Sequence, residues 1–143
     1  MTIYEDISDL SDPQLHTAIV MHLADKPMSR TSVYNLAYLV HTDLWSGEWW
    51  VKSDYGGVYS DEIDEAITSL CHIGYLSRCG CRLECTYDLI QIVKTYIDEY
   101  MTKEITVSEK ATAFGGLTSL LECSPVVLKN LARTAIYCEG VKD

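Results

Sequence analysis

The chain has 143 residues, 48% of them hydrophobic and 22% charged, enough apolar mass to bury a core and too little charge for a disordered polyelectrolyte. Twenty-one acids against eleven bases give a net charge of −10, which argues against a chain coated in nucleic acid or lying on an anionic membrane. No apolar run approaches the roughly 18–20 residues of a membrane helix. Met1 to Asp12 carries four acids and no base, unlike a secretory or transit signal. The expectation is a soluble cytoplasmic protein, and a reducing compartment makes the six cysteines poor evidence for disulfides.

The first helix is signalled by Asp12 as N-cap and Pro13 in the first turn, with Leu15, Ala18, Ile19, His22 and Leu23 on one face, and it stops at Asp25-Lys26-Pro27. A second helix follows Ser29 to Ser32, with Val33, Leu36, Ala37, Val40 and Leu44 as its stripe. Trp49 to Lys52 reads as a short strand before a Gly56-Gly57 turn. Ser60 caps a third helix that buries Ile63, Ala66, Ile67 and Leu70 and stops at Gly74. Tyr75 to Tyr87 is a hairpin; a tight turn at Cys79-Gly80 would set Leu76 opposite Leu83, with Ser77 and Arg82 on the other face. Leu89 to Met101 forms a fourth helix with stripe Ile90, Val93, Ile97 and Tyr100. Ser108 opens a fifth, and Ser124-Pro125 a last one whose strip is Leu128, Leu131, Ala132 and Ala135.

This order predicts a mainly α, α+β fold: a winged helix-turn-helix over residues 1–87, with a small β-hairpin wing, and a helical extension over 88–143 that packs on it or forms a dimer interface. Two stretches carry a family resemblance. Ser29 to Val40 is similar to the second helix of a winged-helix family of prokaryotes and their phages. Tyr55-Gly56-Gly57-Val58-Tyr59-Ser60, followed by Ile63, Ala66, Leu70 and Gly74-Tyr75-Leu76, resembles that family's Tyr-Gly-Pro-Tyr-Ser turn, third helix and wing entry. Gly57-Val58 stands where the family has Pro, and Asn35 where a Lys is common. The resemblance implies a winged helix and company among phage-associated and antitoxin-like proteins.

Charge then weighs on function. From Ser60 to Leu70 there are four acids, Asp61, Glu62, Asp64 and Glu65, and no base, which disfavours entry of this helix into a groove flanked by phosphates. The other bases look too scattered along the sequence to form a stripe. A DNA-binding regulator is the alternative, touching phosphates through Arg78 and Arg82 of the wing, with Lys52. The leading expectation is a non-enzymatic regulatory or adaptor protein that works through protein contacts, as a homodimer. Trp45, Trp49, Trp50 and Tyr55 are the contact candidates, because an exposed Trp leaves a large apolar surface in water. Leu128 and Leu131 are the pairing candidates.

Cys79, Cys81 and Cys85 are weak zinc candidates, since one residue between Cys79 and Cys81 leaves a second C-x₂₋₄-C knuckle missing; a thiol- or metal-responsive protein is a further alternative, and no cofactor is expected. Catalysis has little footing: Cys71 and His72 project about 100° apart on a helix and cannot pair, and no glycine-rich loop carries a phosphate-binding Lys.

Overall fold

A computed structural model describes residues 10–45, 47–53, 57–99 and 105–138; Tyr55 lies outside these. The described residues are mainly helical, with three two-stranded antiparallel sheets. No helix among them is long and apolar enough to cross a membrane.

Helix α1 spans Asp12–Ala24. Its N-cap is Ser11 rather than Asp12: the Ser11 hydroxyl accepts from Gln14 N–H while the Gln14 side chain accepts from Ser11 N–H, a reciprocal capping box that Asp12 could not complete. Asp25 ends it in the left-handed conformation at φ 49°, which a short polar side chain tolerates. Helix α2, Arg30–Leu39, is capped by Ser29 and continues into strand β1, Val40–His41. Between the two helices Met28 makes a single β-bridge to Leu83, with Met28 N–H donating to the Leu83 carbonyl at 2.8 Å and Leu83 N–H to Met28 at 2.7 Å.

A 3-10 turn over Gly47–Trp49 precedes strands β2 (Val51–Ser53) and β3 (Gly57–Tyr59), which pair with Val51 opposite Tyr59. Helix α3, Asp61–His72, starts on the Ser60 cap and is followed by Gly74 at φ 89°. Strands β4 (Leu76–Cys79) and β5 (Arg82–Cys85) form the hairpin. Its register differs from the expected one: Leu76 faces Cys85 and Arg78 faces Leu83, so the turn is Gly80-Cys81. Gly80 takes φ 66° and Cys81 has no positive φ, the pattern of a turn with Gly at the first central position. A slip of two residues preserves side-chain parity, so Leu76 and Leu83 still share the inner face and both are buried.

Helix α4 (Tyr87–Glu99) buries Leu89, Ile92 and Val93. Val93 is buried as expected, but Leu89 and Ile92 join it on the inner face while Ile90 and Ile97 stay half-buried; Tyr100 lies outside the described residues. Strand β6 (Thr106–Val107) pairs with β1, and Ser108 N–H donates to the Leu39 carbonyl at 2.8 Å, tying the last quarter of the chain to the end of α2. Short helices α5 (Glu109–Phe114) and α6 (Gly116–Leu121) lead to α7, Pro125–Cys138.

One hydrophobic cluster runs through the described residues, from Ile19 and Leu36 through Ile67 and Leu89 to Leu120, Leu128 and Ile136. Helix α2 is its axis: every residue from Ser32 to Leu39 is buried, because α1 and α3 cover one side while α7 and β3 cover the other. Fully burying a Leu- or Ile-sized side chain is worth about 1.5–3 kcal/mol, so α7 is an integral wall of this core.

Candidate functional site

The aromatic segment folds inward. Trp50 is only 2% exposed and meets Tyr38 edge-on at 5.4 Å between ring centroids. The expected contact role of Trp50 is thereby corrected: Gly47–Trp49 is a 3-10 turn rather than strand, so the alternation of faces assumed for Trp49 and Trp50 does not apply. Trp45 is half-buried and stacks on His41 at 4.2 Å, and Trp49 is half-buried with its ring edge-on to His16 at 5.8 Å. The indole N–H groups of Trp45 and Trp50 are buried without an acceptor among the described residues.

Under these rings lies His16, fully buried on α1. Its Nε2 sits 2.8 Å from the Ala37 carbonyl and its Nδ1 3.0 Å from the Thr42 hydroxyl. A carbonyl only accepts, so the proton resides on Nε2 and Nδ1 accepts from Thr42. Burial disfavours the imidazolium and lowers the His16 pKa to about 4, with the Ala37 bond opposing and His41 adding to the effect. This neutral imidazole braces α1 against α2.

The start of α3 carries the acidic face. Asp64 is spent on α2: Arg30 Nη1 donates to its Oδ1 at 2.6 Å, Arg30 Nη2 to the Thr68 hydroxyl at 3.0 Å, and the Tyr34 hydroxyl to the same Asp64 oxygen. Burial first, then this carboxylate, raises the Tyr34 pKa above the usual phenol value. The Tyr59 hydroxyl donates to Asp61 at 2.9 Å. Asp61, Glu62 and Glu65 remain exposed.

Arg78 and Arg82 are exposed on the wing, but Lys52 does not join them. Its ammonium lies 5.6 Å from the centroid of the Tyr137 ring, at the far end of α7. The three thiols diverge as well. Cys85 shares the inner hairpin face with Leu76, Cys79 points to the outer face, and Cys81 sits in the turn. Burial pushes the Cys85 thiol up to about 12, with Asp25 and Glu84 adding to it, so it is held protonated at neutral pH. No three His, Cys, Asp or Glu among the described residues gather closely enough to hold a metal ion. Leu128 is 2% exposed inside the chain and Leu131 is half-buried, so Leu128 is not a free pairing surface; the strip read as a dimer seam packs on α2.

Sequence reasoning missed the outward stripe of α7. Lys129 and Arg133 lie one turn apart on it, and folding brings Lys26, Lys52 and Arg82 to the grooves beside them. The bases scattered in sequence are gathered in space. The available signal was the i,i+4 pairing of Lys129 with Arg133, opposite the apolar strip of the same helix.

Comparison with family models, curated proteins and solved structures finds no match to this chain.

Proposed function

We propose that the protein is a non-enzymatic winged-helix regulatory or adaptor protein that acts in the cytoplasm through protein–protein contacts. Supporting the winged-helix part is the order α1, Met28 bridge, α2, α3, β4–β5 hairpin, in which Met28 supplies the third strand position beside Leu83. The sequence from Tyr55 to Ser60, similar to the turn sequence of the phage-associated winged-helix family, points the same way. The observation that carries the functional part is the exposed trio Asp61, Glu62 and Glu65 on the first two turns of α3. In a winged helix that element would enter the major groove, where carboxylates meet phosphates and gain nothing from counterion release.

The competing reading is a DNA-binding regulator that uses Arg78 and Arg82. Fluorescence anisotropy of a labelled mixed-sequence duplex at low salt separates the two. The adaptor reading expects no saturable binding at micromolar protein. Binding that disappears in R78A/R82A replaces it with the DNA reading. A protein cross-linked to the chain in its native cell and then binding the purified chain at one-to-one stoichiometry is the positive counterpart.

A further inference from the structure

Five of the eleven lysines and arginines line three successive grooves along α7. Lys26 and Arg82 line the first, of about 490 Å³, between the wing and the start of α7. Lys129 lines the second, of about 380 Å³, which shares Ser29, Ser32 and Pro125 with the first. Lys52 and Arg133 line the third, of about 500 Å³, one turn further along α7. Glu122, in the first groove, is the one acid among the described lining residues. In a chain of net charge −10, the opposite sign is concentrated on this face. Lys26 is engaged, donating to the Leu121 carbonyl at 2.8 Å, and the Lys52 ammonium lies over the Tyr137 ring. No carboxylate among the described residues pairs with Arg82, Lys129 or Arg133.

The middle groove has two unlike walls. Val126 and Lys129 of α7 stand on one; Thr31 and Tyr34 of α2, with Val58 and Tyr59 of β3, form the other, which carries no charge. Along α7 itself, Val126, 61% exposed, and Tyr137, 74% exposed, bracket Lys129 and Arg133. Exposed aromatic and arginine side chains around an apolar spot are the composition of a protein interface.

We propose that this face docks an acidic segment of a partner protein, extended and with carboxylates at alternate positions. Lys129 and Arg133 stand one turn apart, about 6 Å along the helix axis, and alternate residues of a strand are about 6.6 Å apart, so successive carboxylates meet successive bases. The side chains in between point the other way, toward the uncharged wall of α2 and β3. The 14 residues of α7 measure about 21 Å, which about six extended residues span. A nucleic acid is the poorer occupant. Three uncommitted bases neutralise few phosphates, and a phosphate chain has no apolar side chains to set against Val126 and Val58. It also carries charge at every nucleotide as it runs out over an acid-rich chain, whereas a short segment ends with the groove. The proposal rests on the adaptor reading and names the chemistry of the partner.

The probe is a labelled peptide of about eight residues that alternates Glu with Val, long enough to span α7 when extended. Amide chemical-shift titration of the full chain at low salt is expected to show saturable movement of residues 126–134, lost as salt screens the charges. K129E/R133E is expected to weaken binding by at least about tenfold, and R78A, off the grooves, to leave it unchanged. The same peptide with Gln for Glu is expected not to bind. Circular dichroism melts confirm that the variants fold; if K129E/R133E does not, R133E alone replaces it. Absence of saturable binding, binding indifferent to the charge reversal, or equal binding of the Gln peptide overturns the proposal. An oligonucleotide that binds more tightly than the peptide and is lost in K129E/R133E overturns it as well and assigns the grooves to phosphate. A dimer in sedimentation velocity that the same variant dissociates does so in favour of a second copy. The adaptor reading fails separately: a native partner that binds K129E/R133E as well as wild type keeps that reading and sinks only this one.

Discussion

Mild acid should destabilise this protein through His16. Above pH 6.5 the imidazole is neutral in both the folded and the unfolded chain and contributes no pH dependence. Below 6.5 the unfolded imidazole takes up a proton, while the buried one resists until about pH 4. The unfolded state binds more protons across that window, so stability falls as pH falls. At about 1.4 kcal/mol per pH unit, the loss between 6.5 and 4 amounts to about 3 kcal/mol, a large share of the roughly 5–15 kcal/mol of an ordinary domain. Urea denaturation of the wild type and of His16→Gln, at pH about 7 and about 4.5, isolates the effect, because carboxylate titration is common to both chains. His16→Gln should be less stable at neutral pH, since glutamine cannot reproduce both the Thr42 and the Ala37 hydrogen bonds. Between the two pH values the wild type should lose about 2–3 kcal/mol more than the variant. Parallel losses in the two proteins would refute the assignment of His16 as a buried neutral brace.

Three further outcomes follow from the packing. Gly57 has φ 103°, and a Cβ there would stand 2.4 Å from Asn35 Oδ1, which accepts from Val58 N–H at 3.0 Å; Gly57→Ala should lower stability by at least about 2 kcal/mol, read from the denaturation midpoint. Leu83→Ala should cost about 3 kcal/mol by emptying the inner face of the wing, while Arg82→Ala on the same strand stays within about 0.5 kcal/mol. Asp64→Asn should move the ultraviolet titration of Tyr34 to lower pH without restoring an ordinary phenol, because burial is the larger cause of its elevation; an unmoved titration would show that the carboxylate does not set it.

Much of the local structure was legible because its causes are local. Ser29, Ser60 and Ser108 each cap a helix through a bond three residues ahead, a signal contained in the sequence itself. The stripe of α3 was readable because its opposite face stays in water. Helix α2 was harder: Tyr34, Asn35 and Tyr38 look like an outer face, and only the arrival of α7 and β3 buries them. Strands β1 and β6 have two residues each, too few for periodicity to register, and their pairing bridges nearly half of the chain. The wing register turned on whether Gly80 occupied the first or the second turn position, which composition leaves open. The interaction residues fared unevenly for the same reason: Trp50 and Leu128 have the chemistry of contact residues, but tertiary packing consumed them. The basic surface was invisible in the sequence because Lys26, Lys52, Arg82 and Arg133 are separated by dozens of residues and meet only around α7.

The central claim is that the acidic start of α3 does not read DNA. The most direct measurement is amide chemical-shift mapping of the isotope-labelled protein titrated with mixed-sequence duplex at low salt. The account predicts that resonances from Asp61 to Thr68 do not move. Saturable shifts across those residues, with the duplex protected along one groove, would contradict it.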